Sequence, residues 1–356
     1  MNMIYDKLYK YNTLYIIKMM RSFASLLLLA NIVNAYLPIV PFNRWHCIDF
    51  VKNIDKTKPH SYNIGELPLV TWFDNDNKPH STINICEHMG SKLDEGKIHN
   101  GCLKCPYHGL SYDETKTFGD TIVFQDKLWW SYEPIKEHPP SIPFYNNKNF
   151  ETSFIKVDVD ASVKDCILNT MDINHPEFIH NNIFGFGSNF PPTNIKTIHY
   201  PDKDMKIGLS FNYKSTSKLA KLKKELHQSA NFHIYDFPYT SWSRVSLPTK
   251  EHLYVNVNML PLTKNKTRWL VTLKHNYWKT NVEKHFMKFA ANCILYQDQQ
   301  QMNRQANESI LKNLIINKTE LNNEDHIAPI NKMLDNYRYP SNEMVIMLYN
   351  YHLTKK

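Results

Sequence analysis

Four residues in two short loops carry the chemistry of a metal centre. Cys86-Glu-His88-Met-Gly90 is followed at a distance by Cys105-Pro-Tyr-His108-Gly109. Two thiolates and two imidazoles suit tetrahedral zinc, or a [2Fe–2S] cluster in which two cysteines hold one iron and two histidines the other. Spacing bears on the choice. Zinc fingers group like ligands, whereas each loop here offers one Cys and one His. Cys102-Leu-Lys-Cys105 is itself a C-x-x-C and keeps zinc open. Gly90 and Gly109 sit where the backbone must turn tightly around an inorganic core.

A second loaded stretch reads Asp172-Ile-Asn-His175-Pro176-Glu-Phe-Ile-His180. Two histidines with a distant carboxylate make a facial triad that leaves iron positions open for oxygen. At about 100° per residue, His175 and His180 would point roughly 140° apart on an unbroken helix. Pro176 removes this obstacle, because its ring clashes with the carbonyl four residues earlier and breaks or kinks the helix. Asp172 and His175, three apart, share a face.

The elements around these stretches follow from pattern. Short apolar runs at Trp45–Val51, Leu67–Phe73 and Leu128–Tyr132, separated by turn residues, predict a small antiparallel β domain. Pro134 and Pro139-Pro140 mark the way out of it. Alternation over Phe154–Val163 predicts a strand, and the stretch after Lys164 a helix. Further strands are predicted at Met205–Tyr213, Phe232–Val245, His252–Leu260 and Arg268–Tyr277, then one long helix from Asn281 to about Leu314. Lys218–Leu226 reads as a short basic amphipathic helix. The fold class is therefore α+β: a small antiparallel β domain at 37–140, a second domain at 141–320 with an antiparallel sheet and C-terminal helix, and a tail at 321–356. Residues 1–36 hold a short apolar run, Ser22–Ala35, behind Lys18 and Arg21. They are expected to be a targeting segment, a docked extension or a membrane anchor.

The 356 residues carry a formal charge of +8, of which 1–36 contribute +3 (Lys7, Lys10, Lys18 and Arg21 against Asp6). The remaining +5 is too diffuse for a nucleic-acid site, and no basic cluster is interleaved with stacking aromatics. Six scattered cysteines exclude a disulfide scaffold and point to a reducing compartment, cytoplasmic or organellar.

The Cys86–His108 stretch closely resembles the Rieske cluster-binding motif. Together with Asn169-x2-Asp172-x2-His175-x4-His180, the chain resembles the Rieske non-haem iron oxygenases over roughly 37–315, especially their hydroxylase, demethylase or pheophorbide a oxygenase-like branch. The resemblance implies a helix-grip-like catalytic domain, and a [2Fe–2S] cluster on Cys86, His88, Cys105 and His108. It also implies mononuclear Fe(II) on His175, His180 and a third ligand for which Asp298 is the best match and Glu308 the fallback. Asp172 is implied to orient His175 and to bridge towards the cluster of a neighbouring subunit, hence a homotrimer. Electrons would come from NAD(P)H through a ferredoxin or flavin reductase. With O2 they would hydroxylate, demethylate or desaturate a hydrophobic aromatic, tetrapyrrole or sterol-like substrate, as a monooxygenase rather than a dioxygenase. Phe184, Phe186, Phe190 and Trp242 are candidates for its pocket. High-potential Rieske proteins carry an extra, disulfide-bonded Cys in each loop. Ser91 and Tyr107 stand there, which implies a low-potential cluster, and Cys102 is expected to be a buried thiol. The alternative reading is a Rieske electron-transfer or binding protein with a vestigial second site.

Overall fold

The computed structural model describes residues 41–182, 191–200, 205–213, 230–246, 252–277, 279–306, 327–335 and 339–354. Residues 1–36, Phe184, Phe186, Phe190, the Lys218–Leu226 segment and Glu308 lie outside them.

Of the apolar runs of the first third, Leu67–Phe73 and Leu128–Tyr132 supply the central strands of small sheets and Trp45–Val51 an edge strand. β1 (His46–Phe50), β2 (His60–Ile64), β3 (Leu67–Phe73) and β4 (Pro79–Ile83) lead into the short strands β5 (Lys97–His99), β6 (Cys102–Lys104) and β7 (Ser111–Tyr112). Next come β8 (Asp120–Phe124) and β9 (Lys127–Ser131). They pair antiparallel in three sheets, ordered β1-β9-β8, β2-β3-β4 and β5-β6-β7. The continuous run Leu67-Pro-Leu-Val-Thr-Trp-Phe73 is the middle strand of its sheet, which is why alternation is lost there. In the third sheet, of two- and three-residue strands, the second cluster loop joins β6 to β7, and the first lies between β4 and β5.

The second unit is one seven-stranded antiparallel sheet. Its strands are β10 (Glu151–Val159), β11 (Pro192–His199), β12 (Lys206–Tyr213), β13 (Ala230–Asp236), β14 (Thr240–Ser246), β15 (His252–Thr263) and β16 (Lys266–His275). They are ordered β10-β16-β15-β14-β13-β12-β11. The run Phe232–Val245, expected as one strand, is a hairpin, with Asp236 opposite Thr240 across a turn at Phe237-Pro238. Proline cannot donate to the ladder, so it sits at the reversal. Alternate residues of one face, such as Leu209, Phe211, Val257, Trp269 and Val271, are buried against α1 (Val163–Met171) and α3 (Asn281–Ala306). The short α2 (His175–Ile179) lies between these helices in sequence. The opposite face meets the first unit, where Trp45, Cys47, Phe50 and Trp129 pack on Leu270 and Phe154.

Polar groups fix that junction. The ammonium of Lys127, on β9, is 1% exposed and donates to the amide oxygens of Asn256 and Asn258 on β15, the latter at 2.7 Å. Lys156 pairs with Asp49 at 2.6 Å. The segment read as a tail is structured where it is described. In α4 (Ala328–Asp335), Ile330 and Leu334 join the core of the second unit. In α5 (Asn342–Thr354), Leu348 joins the core of the first. No helix among the described residues is long and apolar enough to cross a membrane.

Candidate metal centres

The two cluster loops are built alike. The Cys86 N–H donates to the Ser91 carbonyl and the Gly90 N–H returns to the Cys86 carbonyl. Cys105 repeats this with Leu110 and Gly109. Gly90 and Gly109 have φ of +74° and +73°, a left-handed turn that side chains with a Cβ adopt at a penalty. Each loop thus buries its Cys and leaves its His at the surface. Cys86 and Cys105 are 3% and 4% exposed, whereas His88 and His108 are exposed with ring centroids 4.9 Å apart. The tyrosine of the second loop, Tyr107, lies against the His108 ring at 3.8 Å.

The donor set is prepared for negative sulfur. Burial works to raise the Cys86 thiol, but bonds from the Tyr112 hydroxyl, the His88 and Met89 N–H groups and Cys105 outweigh it and hold the thiol below its ordinary value. The Tyr112 hydroxyl also accepts from the Glu87 N–H at 2.9 Å. Two buried sulfurs and two exposed imidazoles match the division of a [2Fe–2S] cluster between one iron on Cys and one on His. Cys102, expected to be buried, is half-buried, because it opens β6 directly after the Asn100-Gly101 turn. Its thiol lies 3.7 Å from the Asn100 carbonyl, on a strand rather than in either ligand loop.

The second centre forms where α1 stops. Ser162 caps that helix, accepting from the Asp165 N–H, and Val163, Cys166, Ile167 and Met171 face the core. The helix ends at Met171, and the Asp172 carboxylate then accepts the Asn174 N–H at 2.8 Å. Tyr213, on β12, donates to the Ile173 carbonyl and holds the break in place. The interruption therefore precedes Pro176, which sits in the first turn of α2, where its missing N–H goes unmissed. His175 and His180 come from the two ends of this single turn, with ring centroids 5.3 Å apart.

Asp298 arrives from α3. Its inward stripe is Met287, Ala291, Leu295, Asp298 and Met302, so the carboxylate occupies a position otherwise apolar. Gln299 donates to the Asp158 carbonyl and Asn303 accepts from the Asp160 N–H, anchoring the helix on β10. Asp298 Oδ1 lies 3.1 Å from His180 Nε2 and 3.5 Å from His175 Nε2. These three residues are the one metal-competent group of its kind among those described. Donors at about 2.1 Å from a metal and at right angles stand about 3 Å apart, so the spacing fits one ion. The buried Oδ1 accepts no aligned hydrogen bond, an arrangement that is costly for a carboxylate unless a cation satisfies it. Burial would raise the Asp298 carboxyl, yet the two imidazoles hold it below the usual range. Burial would lower His175, yet Asp298 and Asp172 outweigh it and raise it.

Both imidazoles are aimed through their other nitrogen. His175 Nδ1 lies 2.7 Å from the Asp172 main-chain carbonyl, and His180 Nδ1 lies 2.9 Å from Gln297 Oε1. Each acceptor fixes the tautomer that turns Nε2 toward Asp298. Asp172 therefore touches His175 through its backbone, not its carboxylate. Gln297 was not foreseen. It is one of several glutamines in Gln297-Asp-Gln-Gln-Gln301, and only its adjacency to Asp298 marks it.

Comparison with known proteins agrees with this anatomy. Residues 44–123 match the Rieske [2Fe-2S] domain family, and the chain carries that domain. Among curated proteins it is 25% identical to the oxygenase component of dicamba O-demethylase from Stenotrophomonas maltophilia, over 39% of this chain and 47% of that one. It is 24% identical to chloroplastic chlorophyllide a oxygenase from Arabidopsis thaliana, over 46% of this chain and 34% of that one. The matched regions thus span under half the length of these relatives. In fold, it is similar to the crystal structure of dicamba monooxygenase bound to dicamba, with a TM-score of 0.69 at 15% identity, covering 83% of this chain and 96% of that one. The architecture is the α+β one expected.

Proposed function

We infer that this chain is the oxygenase component of a Rieske non-haem iron system, a monooxygenase rather than a dioxygenase. The observation that carries the reading is the convergence of His175, His180 and Asp298 behind a Rieske domain, with an orphaned carboxylate oxygen aimed between two oriented imidazoles. In this reading 37–140 is the cluster domain and 141–320 the catalytic domain. Cys86, His88, Cys105 and His108 hold the [2Fe–2S] cluster, and His175, His180 and Asp298 hold Fe(II). Iron bound there would supply O2 activation, fed with electrons that originate in NAD(P)H.

The chain's own part is positional. The exposed His88 and His108 edges offer a ferredoxin or flavin reductase its approach, while the buried Cys pair keeps the sulfur side dry. Gln297 and the Asp172 carbonyl hold the two Nε2 atoms at the metal position. A hydrophobic aromatic, tetrapyrrole or sterol-like molecule is the substrate class that this reading implies. Asp172 belongs to the electron route, in a homotrimer in which a neighbour's cluster faces His175. The setting is a reducing compartment.

The test is anaerobic reconstitution with iron and sulfide, then a panel of hydrophobic substrates scored by O2 uptake coupled to product mass. About three irons per chain and substrate-dependent uptake abolished by His175→Ala support the reading. About two irons per chain would instead describe an electron carrier with a vestigial second site. Zinc alone, with no paramagnetic signal on reduction, would overturn both.

A further inference from the structure

The last helix of the chain returns to the first domain and ends beside a cluster loop. Its approach is built in. The Glu66 N–H donates to the Pro340 carbonyl at 3.0 Å and Tyr339 donates to Glu66 at 2.9 Å. Gly65, at φ +60°, lies so close that an added Cβ would stand 2.8 Å from the Pro340 oxygen. From there α5 crosses the β2-β3-β4 sheet. Leu348 is 1% exposed among Ile64, Phe118 and Tyr132, and the His352 ring lies 4.9 Å from that of Phe118. The final turn, with Tyr349, His352 and Leu353, faces Glu87, Tyr112 and Lys116 across a narrow cleft.

That opposite wall is the hydrogen-bonded support of Cys86. Tyr112 is 4% exposed, and its hydroxyl meets both the Cys86 sulfur and the Glu87 N–H. Lys116 pairs with the Glu87 carboxylate at 2.7 Å and lies 5.5 Å over the Tyr112 ring. Cluster potential depends on hydrogen bonds to sulfur and on solvent access. A wall over Tyr112 controls both.

We propose that α5 is a positioning element of the cluster centre: its last turn limits water at Tyr112 and, through the Tyr112 hydroxyl, sets the reduction potential of the cluster. The proposal rests on the cluster reading above. Opening the wall admits water, which stabilises the extra negative charge of the reduced cluster, so the potential rises. His352→Ala with Leu353→Ala removes the wall and leaves the Leu348 anchor in place. Tyr349→Ala with Leu353→Ala does so with His352 kept.

The experiment is a spectroelectrochemical titration of the reconstituted full-length protein, with each wall variant made in the native and the Tyr112→Phe backgrounds, and with thermal unfolding recorded beside it. The expected result is an upward shift in the native background that falls to half or less in Tyr112→Phe. Three results overturn the proposal: no shift, a downward shift, or an equal shift in both backgrounds. A lowered melting temperature with an unmoved potential is one form of the first and marks α5 as structural only. If the unmutated protein shows no [2Fe–2S] spectrum, the cluster reading falls and this inference with it. A normal spectrum with an unmoved potential sinks this inference only.

Discussion

Replacing Lys127 by Met isolates a buried charge whose titration should be visible in the stability of the whole molecule. The ammonium is enclosed between the two units, bonded to Asn256 and Asn258 on β15, and burial pushes its pKa down to about 8. In the unfolded chain the same group titrates near 10.4. Between these values the unfolded state holds a proton that the folded state has released, so stability rises with pH. The rise is about 1.36 kcal/mol per pH unit over roughly 2.4 units, or about 3 kcal/mol, complete once the pH exceeds the unfolded value. Below pH 8 both states are charged and the full burial penalty stands. The thiol of Cys47, which burial pushes up to about 12, acts in the opposite sense, because its unfolded counterpart ionises first. Subtraction of the Lys127→Met curve removes that contribution.

The assay is urea unfolding of both proteins at intervals from pH 7 to 10.5, with wild-type stability minus variant stability plotted against pH. The constant offset carries no weight, since the variant removes a buried charge but also leaves two amide oxygens without a donor. The slope does. A difference that climbs by about 3 kcal/mol bears out the argument. A flat difference, or one that changes by less than about 1 kcal/mol, would mean that Lys127 keeps an ordinary pKa and that the junction is wet.

Asp298→Asn removes the charge that offsets the ion, and iron content per chain should fall by about one while the cluster spectrum is retained. Gln297→Ala frees His180 Nδ1, and the mononuclear metal should bind about 10- to 100-fold more weakly by competition with a chelator. Gly109→Ala places a Cβ on a residue at φ +73°, a penalty of about 1–2 kcal/mol in a ligand loop, so cluster occupancy should drop while the sheet signal in circular dichroism is unchanged.

The chemistry was more legible than the scaffold. Candidate ligands stand out by type and spacing, whereas the helix break lies at Met171–Asp172, ahead of the proline that suggested it. Asp298 was picked out through the family resemblance, and its place as a lone acid on the apolar stripe of α3 agrees with that choice. Its neighbour Gln297 could not be, since nothing in a run of glutamines tells which one reaches His180. Asp172 was read by its carboxylate, and its carbonyl proved to be what touches His175, a distinction that depends on where α1 stops. The strands β5 to β7 are two or three residues long, too short to show a period, and are held by the loops they carry. The β13–β14 hairpin was marked by Asp236 and Pro238, turn residues inside a run that was read as one strand. The final helices passed for a tail because what seats them is distant in sequence: Gly65 and Glu66, some 275 residues before Pro340.

That distance has a consequence for biosynthesis. The last strand of the first unit ends at Ser131, but Leu348, which fills its core beside Phe118 and Tyr132, emerges only after roughly 220 further residues. At about 5–20 residues per second, the ribosome needs on the order of 10 to 40 seconds to supply it. During that interval the domain that is made first has an open side next to Phe118. The cluster domain is begun early and closed only when Leu348 arrives from far along the chain.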